Sequence, residues 1–505
     1  MVFSSLEFIY LFLPPTLIGF LILRWLGWER GIVWWLIAAS IAFYAWWSPL
    51  HLVLLLASVV ANFGLHRGIL ATGRKSLLIA GIIGNLATLA YFKYADFLIA
   101  NVNLMPGVEL PMLDIILPLA ISFFTFQQVS FLYDTYKGRV ADCDFARYCL
   151  FVVFFPQLIA GPIVLQKDTI PQFRLSVFRK RMFVNLSVGG TLFAIGLFKK
   201  IVLADGVAPL ANAVFGLADS GQSVPLEAAW IGALSYTFQI YFDFSGYCDM
   251  ALGLARMFGI VLPINFNSPY KSVSIVEFWR RWHITLSRFL RDYLYIPLGG
   301  NKQGKARRYI NLMATMVLGG LWHGASWNFV FWGLLHGIYL IVNHAWSSLA
   351  GGENHFTLVP GPVRRALSQA ITLLAVVVAW VFFRAESFGG ALAVVQGMFG
   401  ITDYYDPSVW AATLSDSGLY WTQFVLLGAI VLWAPNGIEL VKRYRPVIDV
   451  KASLVTARGM AERIFGGIAW RPSGGWALAM SVIAVTAIIQ LYRLDDLTEF
   501  IYFNF

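Results

Sequence analysis

The residues of this sequence best suited to chemistry are two histidines and the side chains around them. The run Leu318-Gly-Gly-Leu-Trp-His-Gly-Ala-Ser-Trp-Asn328 sets His323 in an apolar stretch between Trp322 and Gly324, with His336 further along. An ionisable side chain inside a membrane span is expensive, which makes it a functional candidate. Imidazole can take a proton from a hydroxyl near neutral pH and return it, the central requirement for acylating an alcohol. The plain alternative is a histidine hydrogen-bonded between helices. At about 100° per residue, an unbroken helix would point His323 and His336 well apart, so they converge only if residues 324–328 interrupt it. Trp322, Asn328 and His336 are candidates for substrate contact. No carboxylate lies beside either histidine, and no metal site is expected.

A second stretch, Glu277-Phe-Trp-Arg-Arg-Trp-His-Ile-Thr-Leu-Ser-Arg-Phe-Leu-Arg-Asp-Tyr-Leu-Tyr-Ile-Pro-Leu-Gly-Gly-Asn301, mixes cations with aromatics. Read as one helix, it carries Trp279, Trp282, Leu286, Phe289 and Tyr293 on one side. Arg280, His283, Ser287 and Arg291 fall on a neighbouring face, and Glu277 and Arg281 are one turn apart. Arg280, Arg281, Arg288 and Arg291 could fork to the phosphates of a donor, or they could anchor an interfacial helix. The run Tyr241-Phe-Asp-Phe-Ser-Gly-Tyr-Cys-Asp249 buries Asp243 and Asp249 in apolar sequence, where a carboxylate needs a partner. Pairing with arginines of the 280–291 stretch is the expected structural role. Orienting a catalytic histidine or coupling an ion to transport are the alternatives.

These residues need a scaffold, and composition says which kind. The chain has 505 residues, 59% of them hydrophobic and 13% charged, with a mean hydropathy of +0.69. A soluble domain is about 25% charged. Long apolar runs recur throughout, which predicts an all-α polytopic membrane protein rather than a β-barrel. About twelve spans are expected, near 6–23, 31–47, 50–66, 76–95, 115–133, 182–198, 228–255, 309–322, 328–346, 366–383, 419–435 and 474–492. Two further apolar stretches, 148–165 and 275–298, are broken by Pro, Gly or charge. They read as re-entrant or enclosed in protein, where irregular backbone can be satisfied. One membrane domain over 1–505 follows, with a catalytic core at about 115–347.

Basic loops at 24–30, 67–75, 137–147, 167–181, 302–308, 364–365 and 442–463 alternate with acid-rich or nearly neutral ones at 96–114, 205–219 and 386–416. Basic loops belong inside, so both termini are expected outside, the first span being retained rather than cleaved. Lys93, Lys199 and Lys200 fit this scheme poorly, since they fall near outward ends, where they are expected to snorkel or to pair with nearby Asp residues. The net charge of +10 is explained by the basic loops and not by nucleic acid. Cys143, Cys149 and Cys248 show no metal or disulfide spacing.

Several motifs together resemble the membrane-bound O-acyltransferase family, and within it the branch serving bacterial alginate O-acetylation. They are Met1-Val-Phe-Ser-Ser5, Phe43-Tyr-Ala-Trp-Trp47, Tyr91-Phe-Lys-Tyr-Ala95, Leu158-Ile-Ala-Gly-Pro162, Tyr241-Phe-Asp-Phe-Ser-Gly-Tyr247, Phe278-Trp-Arg-Arg-Trp-His283, Arg291-Asp-Tyr-Leu-Tyr-Ile296, Leu318-Gly-Gly-Leu-Trp-His-Gly-Ala325 and Trp380-Val-Phe-Phe-Arg384, with a similar ending at Ile501-Tyr-Phe-Asn-Phe505. Residues 400–475 depart most from the pattern. The resemblance implies that His323 is the family's tunnel histidine and His283 its second polar position, either orienting an imidazole or stabilising an oxyanion. It implies acyl transfer at the bacterial inner membrane from a cytoplasmic thioester, with acetyl-CoA as donor substrate and no bound cofactor. The acceptor would be an exopolysaccharide, alginate first, with peptidoglycan, cellulose or teichoic acid as alternatives. It further implies an extracytoplasmic SGNH-type acetyltransferase partner with a Ser-His-Asp site, besides membrane lipid. A transporter or flippase using Asp243 and Asp249 is the rival class.

Overall fold

The computed structural model describes residues 1–140, 142–349, 361–402, 404–448, 470–493 and 500–504, without the side chains of 503 and 504. The 449–463 part of the last basic loop and the final Phe505 lie outside the described residues. The described residues are largely helical and form no β-strand, only an isolated bridge between Pro263 and Ile448.

Seven helices among the described residues are long and apolar enough to cross a bilayer: Glu7–Leu26, Pro49–Thr72, Lys75–Val102, Met182–Ala204, Trp327–Leu349, Gly361–Arg384 and Gly474–Arg493. Their ends follow local chemistry. Pro49–Thr72 opens with Pro behind a Ser48 cap, whose hydroxyl accepts the His51 N–H at 3.4 Å, and closes on Gly73 at φ 63°. Proline tolerates a first turn that lacks partners, and glycine tolerates the left-handed stop. Other expected spans appear as the helices Glu29–Ala45, Ile121–Tyr136, Leu226–Met257, Gly304–His323 and Ser417–Trp433. The two interrupted stretches are interrupted in the fold. Residues 148–165 break after Val153 and again after Leu158, and are buried throughout.

Leu226–Met257 is the axle, since every residue from Ser235 to Ala255 is buried. It crosses Met182–Phe198 on paired glycines. A Cβ on Gly189 would lie 2.6 Å from the Gly253 carbonyl oxygen, and one on Gly196 would lie 2.5 Å from that of Gly246. Lipid tails give no hydrophobic drive to pair helices, so this backbone approach is what van der Waals packing in a membrane requires. Gly304–His323 and Trp327–Leu349 pack the same way, with Gly320 against the Phe329 carbonyl and Gly333 against that of Met316.

Several of the basic loops are joined by polar contacts. Arg24 donates to the Phe178 and Arg179 carbonyls at 3.0 Å each. Glu29 pairs with Arg147 at 2.7 Å and accepts the Leu175 N–H, while Arg67 pairs with Asp142. Basic loops 24–30, 67–75, 137–147 and 167–181 are thereby tied together. Elsewhere, Asp219 accepts the N–H groups of Glu386 and Ser387, and Arg384 donates to Asn212. Phe3 and Phe500 stack on Tyr247 at 4.8 and 4.4 Å.

Candidate functional site

The helix Gly304–His323 ends at its histidine because Gly324 turns extended, at φ −170° and ψ 156°, and a new helix begins at Trp327. A helix end leaves carbonyls without partners. Here Tyr94 O–H donates to the Leu321 carbonyl at 2.9 Å, and the Lys93 ammonium donates to those of Trp322 and His323, the latter at 3.3 Å. Lys93 also reaches Ser122 Oγ at 3.3 Å and lies 5.7 Å from the Trp322 ring centroid. A buried cation at the negative end of a helix suits the macrodipole and caps it. This is where Lys93, out of place in the charge pattern, belongs.

The cap holds the His323 ring in an aromatic chamber. Its centroid lies 5.0 Å from Trp322, 5.1 Å from Trp332, 5.2 Å from Phe383, 5.7 Å from Tyr502 and 6.4 Å from the imidazole of His283. Lys93, Phe383 and Tyr502 come from outside the 115–347 stretch. Lys93→Met is expected to lower turnover about tenfold or more, because small displacements of a catalytic group are costly; Lys93→Arg should recover part of the loss. Initial rates of the purified variants check this, and a Met variant at wild-type rate would remove Lys93 from the site.

His283 arrives by a sharper device. The 277–301 stretch is not one helix. It forms Ile275–Arg281, Ile284–Leu290 and a π-helical turn Arg291–Tyr295, with His283 between the first two at φ 43° and ψ 52°. That left-handed conformation costs a non-glycine residue about 1–2 kcal/mol. Asn265 holds it: its carbonyl accepts the Ile284 N–H at 2.9 Å, and its side-chain Oδ1 meets His283 Nδ1 at 3.1 Å.

The turn also undoes the shared polar face expected for Arg280, His283, Ser287 and Arg291. His283 is fully buried while Arg280 and Arg291 are exposed. Arg281 is buried and forks to Glu277 and the Asn267 carbonyl, Arg288 pairs with Asp168 at 2.8 Å, and Arg291 pairs with Asp292 at 2.7 Å. The arginines are therefore dispersed, and Arg281, Arg288 and Arg291 already hold carboxylates.

The interruption that convergence would require is present between His323 and Trp327, yet the imidazoles of His323 and His336 do not touch. Trp332 stands between them, 5.1 Å from His323 and 4.8 Å from His336. His336 Nδ1 accepts the Trp279 indole N–H at 3.3 Å, and an indole can only donate. The neutral His336 ring therefore carries its hydrogen on Nε2. Asn328 serves as a strut, its side-chain amide donating to the Ala385 carbonyl at 2.7 Å.

Asp243 and Asp249 pair with lysines, not with the expected arginines. Lys200 sits between Asp243 at 2.7 Å and Asp205 at 2.8 Å, and Lys199 bonds Asp249 at 2.9 Å. A π-helical turn, Lys199–Ala204, continues the Met182–Phe198 helix and brings both lysines onto the axle. The second oxygen of Asp243 accepts the Ile501 N–H at 3.0 Å, which seats Tyr502 against both histidines. Sequence reasoning passed over Asn265 and Tyr502. The available signal for Asn265 was a polar residue in an otherwise buried apolar run.

Residues 133–384 match the family described as MBOAT, membrane-bound O-acyltransferase family. The chain is 44% identical over 433 residues to the peptidoglycan O-acetyltransferase of Helicobacter pylori, covering 79% of this chain and 80% of that protein. It is 42% identical over 412 residues to the "Probable alginate O-acetylase" of Pseudomonas aeruginosa, covering 79% and 75%. The protein of that same description from Pseudomonas putida aligns over 516 residues at 38% identity, covering 100% of both chains.

Proposed function

The chain belongs to the membrane-bound O-acyltransferase family, and from that premise we propose that it moves acetyl groups from cytoplasmic acetyl-CoA toward a polysaccharide outside the inner membrane. It is a polytopic inner-membrane O-acyltransferase serving a cell-envelope polymer. The observation that carries the finer reading is the buried pair His323 and His283, with ring centroids 6.4 Å apart in one aromatic chamber.

His323 is the proposed base. It takes the hydroxyl proton as the acceptor oxygen bonds to the thioester carbonyl carbon; the carbon–sulfur bond then breaks and the proton passes to the departing thiolate. The indole N–H groups of Trp322 and Trp332 have no hydrogen-bond partner among the described residues and are proposed to donate to the developing oxyanion. The aromatic walls exclude water, which would otherwise hydrolyse the thioester. Arg280, exposed and without an ion pair among the described residues, is the arginine we retain for the donor's phosphates.

Peptidoglycan is the first polymer to assay, on the 44% identity to the Helicobacter pylori protein. Alginate is the second, on the end-to-end alignment with the Pseudomonas putida protein. The final transfer is proposed to fall to a separate extracytoplasmic acetyltransferase with a Ser-His-Asp site. The helices Glu29–Ala45, Ile121–Tyr136, Gly304–His323 and Ser417–Trp433, with the axle, are proposed to complete the remaining crossings. The test is acetyl-ester analysis of the host's peptidoglycan and exopolysaccharide with and without this chain. Loss of esters from one polymer identifies it, and unchanged esters on both would overturn the reading.

A further inference from the structure

The hydrogen bonds around Asn265 have a direction, and it decides what His283 can do. The backbone N–H of Thr285 can only donate, and it faces Asn265 Oδ1 at 3.3 Å. The Thr285 hydroxyl accepts the Ile163 N–H at 3.0 Å, so its own hydrogen is available for Asn265 Oδ1 at 2.8 Å. Asn265 Nδ2 points the other way, toward Cys248 Sγ at 3.3 Å. The atom facing His283 Nδ1 at 3.1 Å is therefore an acceptor, and Nδ1 must carry the hydrogen. At the opposite corner of the ring, Nε2 is buried and has no partner among the described residues.

We infer that Asn265 is a positioning residue that locks His283 in the Nδ1–H tautomer, so that His283 Nε2 enters the chamber as a hydrogen-bond acceptor. Resting on the reading of His283 and His323 as the acyl-transfer pair, this chooses between two roles. A neutral His283 in this state does not donate to an oxyanion. Its Nε2 accepts a hydrogen bond, either from the acceptor hydroxyl before His323 takes that proton or from the protonated ring of His323 afterwards. His336, held by Trp279, is in the opposite state with its hydrogen on Nε2, so the histidines on either side of His323 differ in kind. The relay begins at the Ile163 N–H, in the buried Leu158-to-Ile163 stretch, which gives that broken segment a task.

The experiment is nitrogen NMR of the full chain labelled at its histidines, purified in detergent or nanodiscs without donor. His283→Gln and His336→Gln assign the two rings. The wild-type spectrum should show His283 with Nε2 unprotonated and His336 with Nε2 protonated. Asn265→Leu should release His283 to a mixture of tautomers and lower kcat about 10- to 100-fold with the acetyl-CoA KM little changed. Asn265→Asp keeps an oxygen acceptor and should keep the tautomer and more of kcat than Asn265→Leu. A wild-type His283 with Nε2 protonated would overturn the inference, as would an Asn265→Leu chain with unchanged tautomer and kcat. Should Asn265→Leu fail to fold, the wild-type and Asn265→Asp spectra still decide. The resting tautomer is read without any acetyl transfer, so a failure of the proposed reaction would show separately, in the His323 and ester measurements.

Discussion

Replacing His323 with alanine is expected to leave a chain that inserts and folds but transfers acetyl groups at least about 10²-fold more slowly. The change removes the imidazole and leaves its surroundings in place. Lys93 and Tyr94 bond the carbonyls of residues 321–323, not the side chain, so the helix end keeps its cap. The glycine contacts of Gly320 and Gly333 are also untouched. Initial rates with acetyl-CoA, alongside a melting curve of the same preparation, separate lost chemistry from lost fold. A well-folded alanine variant at wild-type rate would dismiss His323 as the base. His283→Ala should also be slow, and the double variant little slower than His323→Ala alone, because residues that act as a unit are not additive.

Lys200→Met should produce the largest loss of stability. Lys200 is buried between Asp205 and Asp243, and its removal leaves two carboxylates together in the protein interior. Breaking a buried ion pair from one side costs about 3–5 kcal/mol. Asp243→Asn should be milder, since the amide oxygen can still accept the Ile501 N–H while Lys200 keeps Asp205. Thermal unfolding in detergent measures the stability difference, and limited proteolysis near residue 500 reports whether Tyr502 leaves the chamber. A Lys200→Met protein that melts with wild type and protects its last residues equally would show the network to be dispensable.

What the sequence made legible was whatever depends on short-range pattern. Apolar length marked the seven long helices, and Gly324 and its neighbours offered a place for the break after His323. What it hid depends on partners distant in the chain. Nothing between Glu277 and Asn301 announces that His283 turns left-handed, because the group holding it there, Asn265, precedes the stretch. A helical wheel therefore aligned four side chains that the fold disperses. That Lys199 and Lys200 could pair with aspartates was legible, but that Asp243 and Asp249 are among those aspartates was hidden for a related reason. Lys199 and Lys200 sit at the end of an ordinary apolar helix, and only the π-helical continuation turns them onto the axle. Tyr502 reaches the histidines through a backbone bond to Asp243, a contact between residues 258 positions apart.

The Lys93 cap also has a consequence in time. The ammonium belongs to the helix Lys75–Val102, whereas the carbonyl of His323 lies 230 residues later in the chain. At a synthesis rate of about 5–20 residues per second, roughly 10–50 s separate the emergence of the cation from that of its last acceptor. Through that interval the helix must enter the bilayer with a lysine, a residue that costs up to about 2.5–3.5 kcal/mol at the centre of a span. The early helices are therefore expected to wait beside the insertion machinery, or with Lys93 stretched toward the headgroups, until Gly304–His323 arrives. Neutral residues at position 93 should speed insertion of an N-terminal fragment, and pulse-labelling of chains truncated before residue 304 would measure it.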